Sequence, residues 1–402
     1  MAIVATARTT ANTVTEGSKA TPIDNVLWHL GEPGDSPLNT LLGGDKYSTT
    51  GKGTESVAGA IAKEGVSAVD YKIVEKSPLA RTVTVNGAIG DTTTLTFVVV
   101  DSTNVCVGDT LRNKTTGEIM FVTAIADATH LTVRRNLGGT TVFIGASDVL
   151  AIIGYADKQG GSKRGLRSQL AVPRTRYLQI FKRTFGVTGT AQQVKLDVNT
   201  STWDEEQTQA AINHKKDLEF SFWANPAADS TTNAAGDTVS LTRGIISEIT
   251  GAANGVIDCS GTLDDTKLFG TVAEQIFSYG PTRKTLFADA KLRSTINKMG
   301  RDKILMSVAE NKFGMKVTTI ETGHGTLDMV ACGAFDQFQS AATVGYGVVL
   351  DLERVKYKYL NGRDSKLMTD TQTPGDDVYE ASYLTECGLC LYTLEHHKII
   401  KV

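Results

Sequence analysis

The chain has 402 residues, a formal charge of −3, 41% hydrophobic and 21% charged residues, and five cysteines. This length supplies core for two or three domains, and the acidic balance argues against a protein whose main task is coating DNA. No apolar run approaches the roughly 18 residues of a membrane span, and an odd cysteine count without an export signal reads as reduced thiols.

In chain order, residues 1–50 are rich in Thr, Ala, Gly and Asn and are broken by Pro22, Pro33 and Pro37. They read as an extended arm without its own core, disordered or pinned on something else, with one short helix at Asp24–Leu30. The opening MAIVATARTTANTVTEGSKATP has no basic segment followed by an apolar core, so no signal peptide is expected. Val66–Val74 reads as a strand.

From Thr82 to Tyr155 the texture changes to short β-branched runs (TVTV, LTFVVV, EIMFVTAI, HLTVRR, VLAIIGY) cut by Gly–Asp, Thr–Gly and Gly–Gly turns. Such runs at intervals of about ten residues predict a small all-β sandwich or barrel, inserted into another domain. The next stretch, KQGGSKRGLRSQLAVPRTRYLQIFKRT (158–184), has eight Lys and Arg and no acid. Nine of the 41 basic residues fall in 158–196, which leaves the rest of the chain at −12 (32 basic against 44 acidic residues). A nucleic acid, or an acidic surface on another copy, would neutralise it, and the second fits a basic segment on an acidic body.

TWDEEQTQAAINHKKDLEFSFWA (202–224) is the clearest helix. Thr202 and Glu205 have capping-box spacing. Asp204, Glu205 and Glu206 crowd the positive end of the helix dipole. Ala211, Leu218 and Phe222 recur at helical spacing, and Asn225–Pro226 stops the run. The helix spans roughly 30 Å at 1.5 Å per residue. Residues 227–242 read as a polar loop, Leu263–Tyr279 and Ala288–Lys298 as amphipathic helices, and KTLFA (284–288) as a strand between them. The tail is β-rich. Without regular βαβ alternation the body is α+β.

Catalytic and cofactor motifs find little support. In GGDKYSTTGKGT (43–54) six residues separate Gly44 from Gly51, and Gly53 stands where a phosphate-binding loop has Ser or Thr. GHGT (323–326) reads as a hairpin turn. Cys387, Cys390, His396 and His397 form the best metal candidate, but residues three apart on a strand face opposite sides. No nucleophile elbow and no HExxH occurs. No catalytic, cofactor or metal residue is therefore assigned. A carboxylate-dependent hydrolase is one rival class.

Several strings carry a resemblance: RYLQIFKRTFGVTGTAQQV (176–194), KKDLEFSFWANP (215–226), TRGIISEIT (242–250), ETGHGTLDMVACG (321–333), GVVLDLERVKYKYLNGRDS (347–365) and DDVYEASYLTECGLCLYTLEHH (376–397). With the order of segments, they resemble the major capsid proteins of tailed bacteriophages, the Hong Kong 97 (HK97) fold, in the branch similar to the SU10 major head protein. The similarity covers residues 170–402 well, and the rest in character more than wording. The resemblance implies an N-terminal arm (1–50), an extended loop (51–81 and 156–190) with an all-β insertion (82–155), a peripheral domain (191–244 and 346–386) with a spine helix at 202–224, and an axial domain (245–345 and 387–402). It implies a non-enzymatic subunit that self-assembles into hexamers and pentamers of a head shell around double-stranded DNA, without cofactor or membrane. Portal, scaffolding and cement proteins are its implied partners, and the virion, assembled in the bacterial cytoplasm, its location. The rival to this reading is another β-rich virion component, such as a tail or decoration protein, against which the long helix followed by an α+β body argues. On this reading Arg164, Arg167, Arg174 and Arg176 lie on the returning limb of the extended loop. They are expected to meet acids of the next subunit, with Asp204, Glu205 and Glu206 as the candidate partners.

Overall fold

The computed structural model describes residues 37–38, 61–90, 93–139, 142–161, 167–193, 202–303, 306–308, 318–338 and 345–402. The arm apart from Pro37 and Leu38, the helix expected at Asp24–Leu30 and the glycine-rich 43–54 lie outside the described residues. The chain divides into two compact units, Val74–Arg174 and a body of Met1–Ile73 with Thr175–Val402. It passes between them along Asp70–Glu75 and Val172–Tyr177, which pair as a two-stranded sheet.

The body is α+β. Its five-stranded sheet runs in the order Ala62–Val66, Val355–Leu360, Val378–Leu391, Gln179–Thr188, with the short Lys366–Met368 also on Val378–Leu391. The first pairing is parallel and the others antiparallel. The long helix Thr202–Ala224 packs on this sheet. Its row Ala210, His214, Leu218, Phe222 is buried, with Glu219 and Trp223 beside it. The expected Ala211 is only half-buried, because the true i, i+4 row starts one residue earlier. The helix ends before Asn225–Pro226, since a proline disfavours helical backbone in the residue before it.

Aromatic contacts tie this helix to both sheets of the body. Phe222 meets Phe181 and Tyr357 edge-on at 6.3 and 6.1 Å, on the five-stranded sheet. Trp223 meets Phe287 at 5.2 Å and Phe335 at 4.9 Å. Phe287 belongs to a seven-stranded sheet of order Val256–Asp258, Lys398–Lys401, Tyr346–Leu350, Arg283–Ala288, Gly325–Ala331, Thr318–Thr322, Met306–Val308. Successive residues of its strands enter two different cores: Phe287, Val348 and Ile399 pack with the long helix, and Leu286, Val349 and Ile400 pack with Leu268, Leu292 and Ile296. A sheet buried on both faces needs such continuous apolar runs. The chain changes sheet after Leu350 and again after Leu391.

Other differences from the sequence reading have local causes. The polar loop 227–242 contains a hairpin, Ser230–Thr232 with Thr238–Ser240. Asn233 Oδ1 accepts the N–H groups of Ala235 and Asp237 at 3.0 and 2.8 Å and so forms the turn. The strand read at Val66–Val74 is two, Ala62–Val66 and Asp70–Glu75. The helix expected from Ala288 starts at Ala290 and runs to Lys303; Asp289 precedes it and accepts the Leu292 N–H at 2.6 Å. GHGT is a two-residue hairpin turn, with Thr322 paired to Gly325.

The second unit holds a six-stranded sheet, in the order Thr82–Thr84, Val149–Tyr155, Asp109–Asn113, Ile119–Ile125, His130–Arg134, Thr96–Val98. Its two edges meet. A Val85–Val99 bridge, with Asn86 N–H to Val98 O at 2.8 Å and Val100 N–H to Thr84 O at 2.9 Å, closes the sheet into a barrel. Alternate residues point inward to a core that includes Val83, Phe97, Leu111, Met120, Val122, Leu131, Val133 and Leu150. Among the described residues the two edge strands thus cover one another where they meet, which leaves less backbone open to another strand.

Candidate assembly surface

The basic stretch is not a free cationic patch. Arg164 lies outside the described residues. Arg167 sends Nη2 to both carboxylate oxygens of Asp109 at 2.9 and 2.7 Å, Nη1 to the Asn104 carbonyl, and Nε to Cys106 Sγ at 3.0 Å. Arg174 pairs with Glu75 at 2.7 Å. Arg176 pairs with Glu248, and both side chains are buried. Asp204, Glu205 and Glu206 stand in the first turn of the long helix, where Asp204 and Glu206 are exposed and Glu205 is half-buried. Within the chain the acids that meet Arg167, Arg174 and Arg176 come from 58, 99 and 72 residues away. Counting charge along the sequence does not reveal partners that the tertiary fold supplies.

The acidic turn borders a groove on the outer face of the helix. Asp204, Gln207, Thr208, Ala211, Ile212, Lys215 and Tyr383 line it. On the other unit Leu170 and Val172 are 82% and 65% exposed, far beyond what a core residue of their type shows.

Four features escaped the sequence reading. Glu219 is buried and accepts both the Leu38 N–H at 3.1 Å and the Trp223 indole N–H at 2.8 Å. Its signal is a lone acid between Leu218 and Phe220. Lys284 is buried and donates to the carbonyls of Ile276, Tyr279 and His396 at 2.8, 2.7 and 2.7 Å, and burial pulls its ammonium down to about 8. Glu64, on the edge strand, pairs with Lys358 at 2.6 Å and Lys356 at 3.3 Å, which holds its carboxyl below the usual range. Within the barrel Arg135 and Glu118 form a buried pair at 2.7 Å, with Arg135 over the Phe97 ring.

Cys387 and Cys390 are buried, and His396 and His397 make hydrogen bonds within the chain. Burial pushes the Cys387 thiol up to about 12, so it is not a thiolate at neutral pH. Burial lowers His397 to about 4; its Nδ1 accepts the Asp351 N–H at 3.3 Å and its Nε2 bonds the Tyr392 carbonyl at 3.1 Å. His396 Nδ1 lies 3.0 Å from Asp351 Oδ2. His214, mid-helix, bonds Thr385 Oγ1 at 2.8 Å and is lowered by burial. These are packing and hydrogen-bonding roles. Among the described residues no helix is long and apolar enough to cross a membrane.

A family model described as SU10 major capsid protein matches residues 6–402. The major capsid protein of Pseudomonas phage PaMx41 is 25% identical over 300 residues, which cover 72% of this chain and 70% of that protein. Among solved structures, a chain from Mycobacterium phage Bobi is 11% identical with a TM-score of 0.47, covering 98% of each chain. The SrpI encapsulin of Synechococcus elongatus PCC 7942 is 10% identical with a TM-score of 0.43, covering 58% of this chain and 77% of its own.

Proposed function

The chain belongs to the SU10 major capsid protein family, as the match over residues 6–402 establishes, and from that premise we propose how it works as the shell subunit of a phage head. The subunit self-assembles into hexamers and pentamers that enclose double-stranded DNA, with the backbone arranged as in the HK97 fold. Assembly takes place in the bacterial cytoplasm, with portal, scaffolding and cement proteins as further partners. The role needs binding surfaces and no catalysis, and contact with packaged DNA is non-specific.

The observation that carries this reading is the family match across nearly the whole chain. The geometry supports it in two ways. The long helix braces both sheets of the body through Phe222 and Trp223, which suits a subunit that must transmit load without deforming. The chain also commits a whole unit, Val74–Arg174, to a barrel reached by two paired strands. Leu170 and Val172 leave apolar surface in water there, and assembly is the natural means of covering it.

Negative-stain electron microscopy and light scattering across a concentration series test the proposal. Capsomers, shells or tubes are expected. A monodisperse monomer at high concentration in every buffer would overturn it.

A further inference from the structure

We propose that one outer face of the barrel docks on the acidic segment 370–380 of a second copy; the inference rests on the shell-subunit reading above and names a contact within it. The unit Val74–Arg174 holds 11 Lys and Arg against 8 Asp and Glu, and is the basic part of a chain whose remainder is −6. Much of that charge is already matched: Arg135 on Glu118, Arg167 on Asp109, Arg174 on Glu75. Exposed cations remain on one face. Arg112 and Lys114 follow each other on the outer side of one strand and its turn. Arg112 stands opposite Ile119 on the next strand, and Arg134 opposite Phe121 from the strand beyond. The two apolar side chains, both half-buried, lie between the arginines, since adjacent strands are about 4.8 Å apart. Asp109 and Glu118, along these strands, are buried, and Asp148, next to Lys114, is engaged by Asn113 at 2.8 Å and Thr115 at 3.0 Å. Arginine around an aromatic centre is the composition of a protein–protein contact.

The body carries the complement. Residues 366–380 contain four acids and one base. Asp370, Asp376 and Asp377 are exposed beside Tyr379, itself 49% exposed. This is again charge around an apolar centre, of opposite sign. Among the described residues the edge strands of the barrel meet at Val85 and Val99, which favours recognition through side chains. Charge complementarity of this kind sets the partner and register more than raw affinity.

The test uses the full chain. The triple variant Arg112→Glu, Lys114→Glu, Arg134→Glu alters only exposed side chains, so its melting should match the wild type. Its threshold concentration for assembly, read by sedimentation and microscopy, should rise by about tenfold or more, and less in high salt. Adding Asp370→Lys, Asp376→Lys and Asp377→Lys should restore assembly. A triple variant that assembles like the wild type overturns the inference and leaves the shell-subunit reading intact. A triple variant that assembles normally but loses retention of a DNA oligonucleotide assigns the face to nucleic acid instead. Loss of assembly without rescue by the acidic-to-lysine changes overturns the segment 370–380 as receptor. A wild type that never assembles removes the reading on which the inference rests.

Discussion

Leu38 donates its backbone N–H to Glu219 Oε1 at 3.1 Å across 181 residues of sequence, and the same oxygen accepts the Trp223 indole N–H at 2.8 Å. All three residues are buried, and Leu38 and Trp223 belong to the core that joins the two sheets. Leu38 is thereby held to the long helix by one carboxylate. Glu219→Ala strips the acceptor from two buried donors at once, each costing about 1–3 kcal/mol. Urea denaturation should show a loss in that range doubled, while Glu219→Gln, which keeps a carbonyl acceptor, should lose less.

The Arg176–Glu248 pair is buried, whereas Arg183–Asp217 is exposed at 42% and 51%. Removing one partner of a buried pair leaves a charge without compensation, so Arg176→Ala should cost about 3–5 kcal/mol. Arg183→Ala should cost no more than about 1 kcal/mol. Equilibrium unfolding of the two variants should separate them clearly; equal losses would refute the distinction.

His397 is held neutral by burial, with its folded value lowered to about 4. The unfolded chain therefore takes up this proton first as pH falls. Stability from this site is complete above about pH 6.5, drains between 6.5 and about 4, and is level below that, for a total of about 3 kcal/mol. Denaturation midpoints measured from pH 7.5 to 4 should show this slope, and His397→Gln should flatten it.

Arg167 anchors residues after the last barrel strand to Asn104, Cys106 and the fully buried Asp109. The fragment Val74–Arg174 should fold alone, with a β-type circular dichroism spectrum and a cooperative melt. Arg167→Ala within it should lower stability by about 3–5 kcal/mol, because the buried Asp109 carboxylate then loses the Arg167 guanidinium. A fragment ending at Tyr155 lacks this anchor and should melt earlier.

Local pattern is what the sequence by itself determined. The long helix, its stop at Asn225–Pro226, the GHGT turn and the β texture of Thr82–Tyr155 were all legible, because each depends on propensity and spacing over a few residues. The quoted strings pointed to the family that the match over residues 6–402 establishes. Only the tertiary structure decided which charges are neutralised and which remain exposed. Arg167, Arg174 and Arg176 look like a free basic run in one dimension, yet Asp109, Glu75 and Glu248 reach them from at least 58 residues away. Closure of the barrel likewise rests on Val85 meeting Val99, two strand ends whose pairing no periodicity encodes. The same holds for Glu219, whose burial depends on Leu38 arriving from the far end of the chain. Short-range order is set by backbone and side-chain preferences that neighbours carry with them. Long-range pairing is set by burial, where a charge taken out of water must find its opposite wherever the fold has placed it.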